Sequence, residues 1–452
     1  MSIFSQEVFE ISLFTIYILS RNHETEVFMY GKRFSGYVPE PQPVTTDRII
    51  AAHYYPGWIR GGSKVHNGFQ ELEHFPERCP VLGWYDESNP EVTDWEIKWA
   101  VEHGISCFIY CWYRYKTNVG KTVTREALRF GHAIHEGLFR ARYRNYIKFA
   151  IMFENQEIRW GNPADIKDLL ENLLPWWCNE YFSKPNYLKI DGKPVLYLYE
   201  IKDFVNSLGG DAAATDAIAL MNTEIQKYGF PGIHFSGCSC GWNDAYINSF
   251  KENRPHDLSY TDKLQNYGFD SAFQYCWPLW RLEITPEQFQ IYKRGLEGRL
   301  IDPQVAIASQ LSKIQEHADY APDFFMFAAT VGNDREPWRR IFNYETLTED
   351  PLSSAIFTLG PLWYMHLLEK IKDITDKLPE NSVSRKVLIL DAWNEWSEGH
   401  SIAPSCGAGF RYLQAVRQVF SKCDNLPDYR TPQMLDFDPY DYEWYAKDGS
   451  KI

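Results

Sequence analysis

Ile49-Ile50-Ala51-Ala52-His53-Tyr54-Tyr55-Pro56-Gly57-Trp58 is the stretch on which the fold turns. Its first seven residues form an apolar run of strand length with no polar alternation, the pattern of a strand buried on both faces of a parallel sheet. A doubly wound dinucleotide fold would follow such a strand with a G-x-G-x-x-G turn. Here Pro56-Gly57-Trp58 follows instead. Seven further runs share the character of the first: Ser106 to Trp112, Lys148 to Glu154, Pro194 to Tyr199, Gly232 to Gly237, Ser271 to Cys276, Phe324 to Thr330 and Lys386 to Trp393. Helical patterns lie between them, at Glu91 to Glu102, Arg125 to Glu136, Asp165 to Cys178, Asp211 to Lys227, Pro303 to His317, Leu352 to Leu378 and Phe410 to Phe420. This alternation predicts an α/β fold, a (β/α)8 TIM barrel with long βα loops. The expected organisation is an N-terminal extension over 1–46, a catalytic barrel over 47–425 and an acidic, aromatic tail over 426–452. Pro39, Pro41 and Pro43 make a stiff approach to the barrel.

Of the 452 residues, 46 are Lys or Arg and 60 are Asp or Glu, giving a formal net charge of −14. Phosphate-backbone affinity needs clustered cations, so nucleic acid is not an expected partner. Aromatic residues reach 16% of the chain. Their ring faces suit both packed cores and the apolar faces of pyranoses. Nine cysteines are too few for a disulfide scaffold of this size and read as buried free thiols. Cys238-Ser-Cys240 alone is a weak metal signal. No run has the roughly 18 uninterrupted apolar residues of a membrane span. Glu7 and Glu10 stand where a secretory signal would be basic. A cytoplasmic location is expected, with the periplasm the alternative if the true N-terminus differs.

In a (β/α)8 barrel the C-terminal strand ends carry the chemistry. Strand one ends in His53, Tyr54, Tyr55 and Trp58, strand two in Tyr110, Trp112 and Tyr113, and strand three in Glu154 and Asn155. Strand six ends in Tyr275 and Trp277, strand seven in Asp334 with Arg335, and strand eight in Asn394, Glu395, Trp396 and Glu398. Carboxyl groups among indoles and phenols are the equipment of a carbohydrate enzyme. Single members have plainer readings: His53 as a hydrogen-bonded core histidine, Glu154 as a solvent-facing strand end. Tyr54 and Tyr55 cannot both face the axis, because strand side chains alternate.

Leu388 to His400 reads LILDAWNEWSEGH. Glu395 and Glu398 stand three apart just beyond a buried strand and can project side by side if the chain turns there. Glycoside cleavage needs such a pair, one carboxyl to protonate the departing oxygen and one to act as base or nucleophile. The competing reading is an exposed E-x-x-E on the first turn of a helix.

Trp393-Asn394-Glu395-Trp396-Ser397-Glu398-Gly399-His400 resembles the signature of glycoside hydrolase family 99-like proteins, a group that includes the WbsX-like proteins and, more distantly, the endo-α-mannosidases. Tyr54-Tyr55-Pro56, Gly104-Ile105 with Trp112-Tyr113, Glu154-Asn155, Lys189 to Val195 and Asn333-Asp334 agree in order, over about residues 50 to 422. The resemblance implies a metal-independent, cofactor-free barrel that acts with retention on α-linked mannose-type or related 2-hydroxylated sugars of a polysaccharide or glycan. It implies that Glu395 engages the sugar's 2-hydroxyl and that Glu398 protonates the leaving oxygen and then activates water. His53, Tyr54, Tyr55, Trp58, Trp112, Tyr113, Glu154, Asn155, Tyr275, Trp277, Asp334, Asn394 and Trp396 are the expected substrate-binding residues. Ile402-Ala403-Pro404 departs from an Ile/Leu-Glu-Pro pattern, and strand three keeps only Met152-Phe153-Glu154-Asn155 of a longer Trp-rich segment, with Trp160 further on. The alternatives are a glycosyltransferase or transglycosylase of polysaccharide assembly and a non-catalytic carbohydrate-binding barrel. Asp436-Phe437-Asp438 matches the D-x-D of metal-dependent transferases only formally. The sequence leaves the sugar, the linkage and the oligomeric state open.

Overall fold

The computed structural model describes residues 37–59, 69, 72–157, 159–239, 258–276, 301–337, 357–423 and 425–435. Eight parallel strands close on themselves: β1 (Ile49–Tyr54), β2 (Cys107–Arg114), β3 (Lys148–Phe153), β4 (Lys193–Leu198), β5 (His234–Cys238), β6 (Ser271–Phe273), β7 (Phe325–Thr330) and β8 (Val387–Asp391). The closing register is explicit at β1. Ala52 aligns with Leu390 on one side and with Phe108 on the other. Every residue of β2 and of β8 is buried, as the unalternating runs required.

Helices cover the strands: α1 (Pro90–Glu102), α2 (166–182), α3 (Ile201–Leu208), α4 (Asp211–Glu224), α5 (Leu258–Tyr267), α6 (Pro303–Tyr320), α7 (Pro361–Thr375) and α8 (Arg411–Phe420). Asn89 caps α1 by accepting from the Glu91 amide, with Pro90 in the first turn, and Asp302 with Pro303 repeats the device at α6. Both described flanking segments lie on α1. The Val44 amide donates to the Val101 carbonyl, and the Asp428 amide donates to Glu102. None of the described helices is long and apolar enough to cross a membrane. The described cysteines are free thiols, while Cys240 and the 436–438 acidic triplet lie outside the described residues.

The expected helix over Arg125 to Glu136 is not continuous. Leu128–Arg129 instead pairs antiparallel with Tyr113 and Arg114 at the extended end of β2, and helical turns resume only at Ala133–Gly137. Gly131 interrupts the pattern, and the buried Leu128 and Phe130 gain more from the β2 edge than a helix would give them. In α2 the helical path runs past Cys178 to Phe182 through wide π turns. The last long helix begins at Pro361, beyond the stretch expected from Leu352.

Candidate active site

Beyond β8 the chain forms a hairpin at the barrel mouth. Asn394–Glu395 pairs antiparallel with His400–Ser401, with Glu395 opposite His400. The turn between them carries Glu398 and Gly399. Gly399 has φ +72°, and a Cβ there would stand 2.8 Å from the Asp334 Cβ and 2.9 Å from the Asp334 carbonyl oxygen, so glycine is required on two grounds. The Asp334 amide donates to the Glu398 carbonyl at 2.7 Å and holds the turn against the end of β7. The two glutamates are therefore not on a helix. The hairpin brings one carboxyl oxygen of each, with a ring nitrogen of His400, within 4.8 Å of one another.

Buried polar contacts fix the hairpin's base. The Trp393 indole donates to Glu96 of α1 at 3.0 Å, and the Trp58 indole donates to the Asn394 carbonyl at 2.8 Å. The Asn394 side chain accepts from the Tyr55 amide and donates to the Tyr55 carbonyl and to Glu87, each at 2.8–2.9 Å. The Trp396 indole donates to the Tyr85 hydroxyl at 3.0 Å.

The two carboxyls have opposite surroundings. Glu395 is buried; one oxygen accepts from the Tyr275 hydroxyl at 2.8 Å, and the other has no hydrogen-bond partner among the described residues. Burial, followed by the nearby charge of Glu398, pushes the Glu395 carboxyl up to about 8. Glu398 instead meets two cations, Arg335 at 3.0 Å and His400 at 3.2 Å. The other ring nitrogen of His400 lies 2.7 Å from Asp391. Burial works against charge on His400, yet Asp391 and Glu398 together hold it up to about 10. Burial thus favours the protonated form of Glu395, while Glu398 has opposite charge on two sides.

A cavity of about 160 Å³ opens beside this pair. Of the expected residues, Tyr55, Tyr113, Glu154, Tyr275, Glu395 and Glu398 line it. Glu154 is buried with one unpartnered oxygen, and burial raises it to about 8. His53 lies beneath, its ring 4.7 Å from that of Tyr275 and its imidazole pushed down to about 3 by burial.

The other expected residues stand elsewhere for identifiable reasons. Tyr54 and Trp112 occupy the outward phase of their strands; Tyr54 donates to Glu96 of α1 and Trp112 to Tyr181 of α2. Trp58 stacks on Phe69, Asn155 binds Asn162 and the Glu200 backbone, and Asn394 and Trp396 brace the hairpin. Asp334 pairs with Arg78, while its neighbour Arg335 faces the cavity. Trp277 lies outside the described residues. Trp160, noted beyond strand three, completes the wall with residues not expected there, notably Arg129, Phe130, Arg159 and Tyr199. Tyr199 was detectable, since it follows β4 directly. Arg129 and Phe130 were hidden by the misread helix.

Glu395, Glu398 and His400 also match a three-ligand metal grouping. Their chemistry fits poorly, because His400 directs both ring nitrogens at carboxylates, those of Asp391 and Glu398, whereas a metal needs a bare imidazole nitrogen.

A family model described as glycosyltransferase WbsX matches residues 162–416 of the chain. Two strains of Xanthomonas campestris pv. campestris each carry an uncharacterized protein WxcX that is 21% identical over 419 residues, 86% of this chain and 51% of theirs. The chain thus spans about half the length of these curated relatives. A solved glycoside hydrolase-like protein superposes with a TM-score of 0.53 at 12% identity, over 86% of this chain and 98% of that one, a likeness of fold. A GH99 endo-alpha-mannosidase from Bacteroides thetaiotaomicron gives 0.49 at 14% identity, over 82% and 95%.

Proposed function

The chain belongs to the glycosyltransferase WbsX family, whose model spans more than half of it, and on that premise we propose that it breaks a glycosidic bond with retention, using Glu395 and Glu398. Family and barrel together make it a carbohydrate-active enzyme. The observation that carries the reading is the spacing of the pair, with one oxygen of each within 4.8 Å. At that separation both carboxyls can reach one glycosidic linkage, one at the 2-hydroxyl and the other at the leaving oxygen.

The substrate class is an α-linked mannose-type or related sugar with a free 2-hydroxyl. Glu395 takes the O2 proton as O2 attacks the anomeric carbon; the glycosidic bond breaks, and the leaving oxygen takes a proton from Glu398. Glu398 then accepts a proton from water as the water oxygen adds to the anomeric carbon, and O2 recovers its proton from Glu395. Two inversions give net retention. Burial favours the proton on Glu395, so the productive complex passes it to Glu398, a short transfer that a sugar hydroxyl lying between the two oxygens can relay.

The test is proton NMR of the anomeric signals from the first seconds of reaction, with oligosaccharides from α-mannan, bacterial capsules and host glycans. A new reducing end that first appears in the substrate's own anomeric configuration, absent with Glu398→Gln, supports the proposal. First appearance of the opposite anomer refutes retention. The family description favours one second reading, in which a sugar hydroxyl rather than water intercepts the intermediate. Formation of a longer glycan in place of a free reducing end would identify it.

A further inference from the structure

An acidic chain of net charge −14 has gathered three of its guanidinium groups around one cavity, those of Arg129, Arg159 and Arg335. Arg335 is engaged by Glu398. The other two stand on the wall built from the β2 and β3 loops. Arg129 is clamped by stacking, its guanidinium carbon 4.4 Å from the Phe130 ring centre and 5.0 Å from that of Trp160. Arg159 is exposed at the rim, on a turn closed by the Trp160 amide donating to the Gln156 carbonyl at 2.7 Å. No carboxylate among the described residues forms an ion pair with Arg159.

We propose that this wall receives an anionic substituent of the sugar, a carboxylate such as a uronic acid carries, with Arg159 and Arg129 as its cations and the Trp160 ring beside it. The inference rests on the glycoside-cleaving reading of the same cavity and names the substrate class within it. A neutral pyranose would desolvate the Arg159 guanidinium while offering only hydroxyls in return. A carboxylate matches the planar fork in shape and charge. Glu154 faces Arg159, with Glu200 and Asp203 nearby, and burial pushes the Glu154 carboxyl up to about 8, which reduces the negative charge it sets against this wall.

The experiment compares binding of methyl α-D-mannopyranoside and of its 6-carboxylate counterpart, methyl α-D-mannopyranosiduronate, by calorimetry to the Glu395→Gln protein, in which Arg335 keeps its Glu398 partner. The expected result is tighter binding of the carboxylate by about tenfold or more, weakening as sodium chloride is raised. Adding Arg159→Gln should bring the ratio of the two affinities toward one, with Arg159→Lys intermediate; Arg129→Gln gives an independent second variant. Equal or weaker binding of the carboxylate, or no saturable binding of it, overturns the inference and leaves glycoside cleavage standing. Persistent carboxylate preference in a protein that cleaves no glycan has the opposite meaning: the ligand class holds and the hydrolytic reading falls.

Discussion

Glu395 and Glu398 differ by what touches them, and that difference predicts how their variants behave. Glu395→Gln removes the titratable proton but keeps an acceptor for the Tyr275 hydroxyl. Glu398→Gln removes the anion between Arg335 and His400 and leaves two cations facing one amide. Each should lower turnover of a natural glycan by on the order of 10²-fold to 10⁴-fold, with no matching loss of melting temperature for Glu395→Gln. An aryl glycoside whose phenol leaves without protonation separates the roles. In release of the phenol during the first turnover, it should restore most of the Glu398→Gln rate and little of the Glu395→Gln rate; the reverse would exchange the two assignments. Single residues were legible where chemistry and phase agreed. Tyr55, Tyr113, Glu154 and Tyr275 reached the cavity, but their neighbours Tyr54 and Trp112 could not, since one-residue steps along a strand reverse the face. The same step exchanged Asp334 for Arg335.

The decisive element is the hairpin Asn394–Glu395 with His400–Ser401. Its spacing of glutamates was visible in the sequence, and its geometry was not, because an E-x-x-E serves equally on a helix and in a turn. What excludes the helix is contact with the end of β7: Gly332 and Asp334 crowd Gly399 so closely that a Cβ on either glycine meets backbone below 3 Å. Gly399→Ala should therefore move the Glu398 turn outward while the barrel stays folded. The expected outcome is a loss of turnover of about tenfold or more, together with about 1–3 kcal/mol of destabilisation from the positive φ and the clash. Chemical denaturation read beside activity checks it; a variant as active as the parent would mean that the turn does not fix Glu398. The misread segment at 125–136 teaches the complementary lesson. Helical spacing was present in its sequence, but the open edge at the end of β2 took Leu128–Arg129 as a strand, and no local pattern announces a tertiary partner.

At the scale of the whole molecule the barrel was readable because strands buried on both faces leave an unmistakable record, eight apolar runs at βα spacing. The cost of that architecture is the number of ionisable groups enclosed with it. Glu96, buried between α1 and the hairpin, is raised to about 7 by burial, and Glu154 and Glu395 reach about 8. Their folded values lie above the ordinary carboxyl value, so the stability they contribute is complete below about 4.5 and is lost as pH rises toward 7 to 8. His400, held up to about 10, adds a loss in the same direction above about 6.5. Buried His53, His103, His132, His135 and His234, pushed down to about 3 to 4, act oppositely: what they contribute is present above about 6.5 and is lost as pH falls toward 4 to 3. The two sets together place the maximum of stability on the acid side of neutrality, between about pH 4.5 and 6.5. Melting temperature followed from pH 4 to 9 should peak there and decline toward pH 8. Glu96→Gln isolates one contribution, because its amide can still accept from the Trp393 indole while its charge is abolished. Glu96 accounts for on the order of 3 kcal/mol of that decline, so the variant should lose less stability than the parent between pH 5 and 8. Parallel pH curves for the two proteins would show that Glu96 is already ionised in the fold and that the alkaline decline arises elsewhere.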